Sequence, residues 1–453
     1  MIDLSKSADA LYQNADALKG ATAAELNEKT AKKSESKWDG DTLNAENFKR
    51  YLKLKGYELK YNTVLHSIEY RGISGIAAEH LDNDFPLVCY DELHRELKRV
   101  NPKICGQYVK MIANQNEYNP VIDALSRTKW DGIDRLQRLY EVMGIPDDDT
   151  LSRVFMRKWM MQGIALQHNT LDAAISTELV LILYGAQNIG KTSLLRKLAI
   201  SPALFREGHQ LNPSDKDSLS QGVSSFICEL GELARTMKKD PDTLKAFFTL
   251  PADKWRSPYA ASPETHPRRT IFAGTVNDER FLVDPTGNRR FAVIQLDNMD
   301  YRKVLAMSSA DILQLWAQIN ADVENVVKHG GNYAGCFRLT PEERQMQESR
   351  NNRFMKLTTA QSEVEDILAS VEMNPNAYKW KDATVLEWQS YFGCLSRYTP
   401  ESVGKALTAA GIAAQKPKRV NGKATRLRKL PFPIRKPSMI NVNGHTIEEA
   451  PVL

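Results

Sequence analysis

The chain of 453 residues (51.2 kDa, 42% hydrophobic) is long enough for about three domains with cores of their own. Its net charge of +5 is small for that size, so partners have to be read from where the charge concentrates. Cys89, Cys105, Cys228, Cys336 and Cys394 lie far apart without a Cys-x-x-Cys pair, and no run of 18 apolar residues occurs, which argues for a reduced protein without structural zinc or a membrane span. Asp3, Asp9 and Asp16 interrupt the first twenty residues, so no signal peptide is expected and the predicted location is cytoplasmic.

Residues 1–40, rich in Ala, Lys, Glu, Asp and Ser with thin periodicity, are expected to be a flexible leader. Residues 41–118 combine helical spacing (AENFKRYLKLKGY) with alternation (YELKYNTVLHSIEYRG) and predict a small α+β domain. Tyr118-Asn119-Pro120 marks a break, after which RLQRLYEVM and RVFMRKWMMQGIAL predict a helical bundle over 119–172. Lys-Trp-Asp-Gly occurs at 37–40 and again at 129–132, but the flanks differ and no repeat is read from it.

The stretch LVLILYGAQNIGKTSLLRKLA (179–199) opens the next unit, 173–335. An uninterrupted apolar run from Leu179 to Leu183 suits a strand buried on both faces. Gly185, Ala186, Gln187, Asn188, Ile189, Gly190, Lys191 and Thr192 then satisfy G-x-x-x-x-G-K-[ST], and Ser193 continues into a helix. Glycines let successive N–H groups point inward and the helix start adds partial positive charge, so a phosphate-binding loop for ATP is expected. Lys191 would reach the β- and γ-phosphates and the Thr192 hydroxyl would ligate Mg²⁺.

Such a site needs carboxylates at a neighbouring strand end, one for Mg²⁺ and one for the attacking water. FICELGEL supplies Glu229 for the metal and Glu232 for the water. A third strand, Thr270–Thr275, ends at Asn277, an amide suited to the γ-phosphate, and Arg289 and Arg290 stand at a turn where they can stabilise developing charge. Between these strands, DKWRSPYAASPETHPRR carries Lys254, Arg256, Tyr259, Arg268 and Arg269, a basic and aromatic mixture that suits a single-stranded backbone.

Residues 336–384 predict a helical lid or spacer. In 385–436 two helices precede strands flanking Asn421-Gly422, a strong hairpin turn signal, and the pattern predicts a winged-helix domain. Lys416, Lys418, Arg419, Lys423, Arg426 and Arg428 would face duplex DNA, since no acid occurs between Glu401 and Glu448. A tail, 437–453, completes the chain.

Together GAQNIGKTS, FICELGEL, LKAFFTLPADKWRSPYAASPETHPRRTIFAGTVN and FLVDPTGNRRFAV resemble the virulence-associated E (VapE) family of phage and mobile-element P-loop proteins, over roughly 118–332. That family is similar to the superfamily 3 replicative helicases. The resemblance implies an α/β fold with an AAA+-like ATPase core and an ATP- and Mg²⁺-dependent, ring-forming DNA helicase or replication initiator of a phage, prophage or mobile island. It makes Asn277 the first sensor, Arg289 or Arg290 an arginine finger acting on a neighbour, and 253–269 a hairpin in the ring's central channel around one DNA strand. A homo-oligomer, expected to be a hexamer in a bacterial or phage-infected cell, and a separate primase or replisome partner follow. Two departures stand out: Asn188 replaces a glycine common in the family's loop, and ELGEL replaces an adjacent acid pair, which leaves open which glutamate is the base. The rival expectations are a regulatory or defence ATPase that switches without unwinding DNA, and an origin-binding adaptor.

Overall fold

The computed structural model describes residues 37–212, 214–231, 241–255, 262–282, 288–355, 357–420, 423–434, 439–442 and 445–448. Helix α1 (Ala45–Lys55) starts where the Asn44 side chain accepts from the Asn47 N–H. Strands β1 (Glu58–Asn62) and β2 (Ser67–Arg71) follow, then α2 (Leu81–Leu93), α3 (Pro102–Gln115) and β3 (Glu117–Tyr118). β1 pairs antiparallel with β2 and parallel with β3, and α1, α2 and α3 bury Phe48, Phe85, Val109 and Leu59 together. Trp38 belongs to this core and its indole N–H bonds Glu96 at 2.7 Å, so the unit reaches back into the stretch expected as leader.

Helices α4 (Pro120–Ser126), α5 (Arg135–Met143) and α6 (Thr150–Gln167) each begin at a side-chain cap, Asn119, Asp134 and Asp149. They do not form a separate bundle. Along β4 (Val180–Tyr184), Leu181 and Leu183 share one core with Trp159, Met160 and Leu139 of these helices, while Val180 and Ile182 enter a second core with Phe272, Phe247 and Phe248. The alternation explains the unbroken apolar run: every side chain of β4 up to Leu183 meets protein, each contributing roughly 1.5–3 kcal/mol of burial. The Trp159 indole bonds Phe272 O at 2.9 Å and the Gln162 amide bonds Leu179 O at 2.8 Å, tying α6 across the sheet.

After β4 come α7 (Lys191–Leu198), β5 (Phe205–His209), α8 (Lys216–Gly222), β6 (Ile227–Leu230), α9 (Pro241–Thr249), the hairpin β7 (Ala252–Trp255) and β8 (Glu264–Pro267), β9 (Ile271–Val276) and β10 (Phe291–Gln295). The sheet is parallel with order β10-β4-β9-β6-β5. This mixed α/β arrangement is that of a P-loop-like core. Helices α10 (Tyr301–Ala306) and α11 (Ser309–Lys328) complete the face that carries α6, and α12 (Pro341–Arg353) crosses the outer side of β10.

The expected boundary at 384 runs through a core instead of between two. Helix α13 (Thr359–Met373) and strand β11 (Tyr378–Ala383) pack with α14 (Val385–Gln389), α15 (Pro400–Ala409) and β14 (Arg428–Pro433) around Val364, Trp388, Leu407 and Leu430. β11 pairs antiparallel with β14, and the short hairpin β12 (Lys418–Val420) and β13 (Lys423–Thr425) lies between α15 and β14. The expected turn at Asn421-Gly422 lies outside the described residues, and within the expected tail β15 (Met439–Val442) pairs with β16 (His445–Glu448). Among the described residues no helix is long and apolar enough to cross a membrane.

Candidate active site

A parallel sheet delivers its strand ends to one edge, and four candidate residues meet there. Gly185 follows β4 and Asn277 follows β9, held side by side because Tyr184 pairs with Val276 and the Gly185 N–H bonds Val276 O at 3.2 Å. Lys191, the first residue of α7, is 6% exposed and donates to Gly185 O (2.9 Å), Ala186 O (2.7 Å) and Asn277 Oδ1 (2.8 Å). Burial pulls its ammonium pKa below the usual lysine value. Glu229 near the end of β6 is 3% exposed; its Oε1 accepts from the Thr192 hydroxyl (2.6 Å) and the Thr275 hydroxyl (3.1 Å), and its Oε2 accepts from the Gly208 N–H at 3.4 Å.

The loop backbone explains two sequence features. Gly190 takes φ +100, and Asn188 takes φ +65, the left-handed region in which asparagine is one of the few tolerated non-glycine residues. The departure from glycine at 188 therefore keeps the loop's conformation. Ala186, Gln187 and Asn188 are exposed, Ile189 is half-buried, and Ser193 lies in the first turn of α7. Glu232, expected to handle the water, lies outside the described residues.

Arg289 and Arg290 sit at the opposite edge. They precede β10, whose first residue Phe291 pairs with Val180, the first residue of β4, so the length of a five-residue strand, about 16 Å, separates them from their own loop. Arg289 is exposed and Arg290 half-buried. Helix α12 holds this turn: Asn351 donates to Asn288 O (2.8 Å) and Phe291 O (3.0 Å), and Gln347 donates to Phe291 O at 3.0 Å. Nothing in the polar sequence PEERQMQESRNNR singled these amides out, except that they stand four apart on a helix.

The expected channel stretch does form a hairpin, with Asp253 opposite His266 and Lys254 opposite Thr265. Lys254 is exposed; Arg256 and Tyr259 lie outside the described residues. Arg268 departs from the expectation of a DNA contact. Its guanidinium is buried, forks onto Asp253 (2.8 and 2.6 Å), donates to Phe247 O and lies 4.3 Å from the Phe247 ring centroid. Arg269 is likewise turned onto protein, donating to Gln167 O (2.7 Å) and Asn169 O (3.2 Å), with burial lowering its pKa. Arg268→Ala would leave Asp253 buried and unpaired, so a stability loss of roughly 3 kcal/mol is expected in denaturant melts. A melt unchanged from wild type would return Arg268 to solvent-facing duty.

The far end of the paired strands, where Trp255 faces Glu264, is docked on the N-terminal unit. Trp255 stacks on His266 at 4.0 Å, His66 packs edge-on against both at 4.9 Å, and Lys110 bridges Glu264 at 2.7 Å. Burial, with His266 and Arg269 nearby, holds the His66 imidazole down to about 3, so it is neutral.

In the C-terminal unit Lys416 and Arg426 are exposed, and the side chains of Lys418, Arg419 and Lys423 lie outside the description although their backbones form β12 and β13. Arg428 is a second correction: it is 9% exposed and its guanidinium bonds Ile412 O and the Thr408 hydroxyl, anchoring β14 to α15 instead of facing outward. Among the described residues no cluster of His, Cys, Asp and Glu of metal-binding size occurs.

Comparison with known proteins adds the lineage. The NrS-1 C-terminal region in its A form apo structure is 13% identical, with a TM-score of 0.41, over 84% of this chain and 98% of that one. A second structure of that region, residues 305–718, gives 12%, 0.42, 86% and 100%. The X-ray structure of JCV helicase gives 14%, 0.25, 74% and 98%. At these scores such likenesses carry no weight for activity. No curated protein sequence matches significantly. The virulence-associated protein E-like domain, by contrast, matches residues 125–356, just over half of the chain, from the α4 helix that covers the sheet to the α12 helix that clasps the arginine turn. That span takes in the loop, both acid- and amide-bearing strand ends and the hairpin, and the chain belongs to the virulence-associated protein E-like family.

Proposed function

We propose that the chain is an ATP-driven, ring-forming DNA helicase or replication initiator of a phage, prophage or mobile island. The observation that carries this is the convergence of Lys191, Thr192, Glu229 and Asn277 at one sheet edge, with Arg289 and Arg290 at the other. Lys191 and the N–H groups of the 185–192 loop bind and orient the triphosphate, and Asn277, already bonded to Lys191, faces its terminal end. The Thr192 hydroxyl and the Glu229 carboxylate are oxygen donors that fit Mg²⁺, which when bound neutralises charge on the β- and γ-oxygens. Glu232 remains the proposed base for the attacking water. An arginine about 16 Å from its own loop suits only a neighbour's, which is why a closed ring, proposed as a hexamer, accompanies the chemistry.

The β7–β8 hairpin carries Lys254 towards one DNA strand in the channel, and Arg256 and Tyr259 are proposed as further contacts to that strand. The proposed winged helix is supported by the order α13, β11, α14, α15, β12, β13, β14 and by the antiparallel pairing of β11 with β14, and Lys416, Lys418, Arg419, Lys423 and Arg426 are proposed to contact duplex phosphates.

A strand-displacement assay with ATP and Mg²⁺ on forked DNA, beside native mass measurement with and without nucleotide, tests this reading. ATP-dependent separation by a multimer supports it; hydrolysis without separation moves the switching ATPase ahead. Glu229→Gln is expected to raise the Mg²⁺ concentration needed for nucleotide binding by about 10–100-fold, since the amide keeps the shape but not the charge. An unchanged Mg²⁺ requirement with blocked hydrolysis would exchange the roles of Glu229 and Glu232.

A further inference from the structure

A phosphate loop grips one end of a nucleotide and leaves the base to other residues. Taking 185–192 as that loop, we propose that Tyr301 is the platform on which the base of a nucleoside triphosphate stacks. The chain after β10 turns back over the loop: the Leu296 N–H bonds Tyr184 O at 2.8 Å, and a Cβ on Gly185 would lie 2.5 Å from Leu296 O. The next segment is pinned from outside the sheet, where the Asp300 N–H bonds Val142 O at the end of α5 (3.1 Å). Asp300 then caps α10 by accepting from the N–H groups of Arg302 (3.0 Å) and Lys303 (3.3 Å).

This fixes Tyr301 against the residue that precedes Lys191. A Cβ on Gly190 would stand 2.5 Å from Tyr301 Cδ2 and 3.2 Å from the Met299 methyl, so ring and thioether lie directly on the loop's last glycine. Tyr301 is nevertheless 43% exposed, far more open than the aromatic residues of the two cores beside it. An exposed aromatic residue anchored by its backbone and bordering a phosphate loop meets what a planar base requires, and Met299 supplies a polarisable edge. Stacking reads the π-face that all bases share, so the site takes nucleoside triphosphates as a class with little preference between adenine and guanine.

Binding of ATP, GTP and inorganic tripolyphosphate, each with Mg²⁺, is measured by calorimetry on the full-length protein. Tyr301→Leu, which keeps apolar cover over Gly190 but has no stacking face, is expected to weaken ATP and GTP on the order of 10-fold or more and to leave tripolyphosphate unchanged, while Tyr301→Phe behaves as wild type. Equal losses for all three ligands, or no loss for any, would overturn the platform. Lys191→Ala separates the two readings, because it should weaken all three. If it does so while Tyr301→Leu leaves the ratio of ATP to tripolyphosphate affinity intact, the platform alone fails; if Lys191→Ala keeps all three, the phosphate loop fails with it.

Discussion

Lys191→Ala is expected to cut ATP turnover on the order of 10³-fold, the scale reached when a preorganised charge aimed at the reacting group is removed. The ammonium is enclosed by the loop, and this burial costs it solvation and lowers its pKa. A triphosphate in that enclosure would restore what burial takes away, and in a low local dielectric the attraction is far stronger than in water. The fold should survive. Lys191 bonds two loop carbonyls and one side-chain oxygen, and Ala186 and Asn277 stand at the exposed rim where water can replace it. The stability change expected is about 1 kcal/mol, and β4 is untouched. Circular dichroism with an ATPase assay checks both halves, and turnover near wild type with an intact melt would remove the phosphate-loop assignment.

How much of this was legible depends on how local each signal is. The parallel sheet could be read because β4 announces itself in five adjacent apolar residues and β6 and β9 are equally buried, whereas the order of the strands is given by the structure alone. The meeting of Lys191, Glu229 and Asn277 follows from that order, since parallel strands end on one side and β9 lies between β4 and β6. Family membership was legible because the motifs are contiguous stretches in a fixed order.

Pairings across long separations were not legible. Arg268 read as a basic residue among aromatics, yet Asp253, fifteen positions earlier, neutralises it once the hairpin closes. Arg428 read as part of a wing but is spent on Ile412 O and Thr408. β11 read as the end of a spacer because its partner β14 stands fifty residues on in the pairing of Tyr378 with Pro433 and Ala383 with Arg428. Helices 120–167 read as a bundle because helical periodicity reports that a face is apolar, not whether a helix or a sheet covers it. In each case composition identified the chemical group and tertiary pairing decided its use.

For the arginine turn, at least one of Arg289→Ala and Arg290→Ala should bind ATP as wild type does and lose on the order of 10³-fold in turnover, as expected when an arginine finger is removed. Arg289 is the stronger candidate, being exposed where Arg290 is half-buried. Its position is set by Asn351 and Gln347 on one side and the start of β10 on the other, so truncating the guanidinium leaves the turn's hydrogen bonds in place. A strand's length from its own loop, the residue contributes nothing to its own subunit's site. Mixing therefore decides between cis and trans action: an inactive arginine variant combined with inactive Lys191→Ala protein should recover part of the ATPase activity, because one subunit's intact loop then meets its neighbour's intact arginine. Subunit exchange is verified by native mass. Loss in each single variant without recovery in exchanged rings would make the arginine structural, and the closed ring would lose the geometric observation on which it rests.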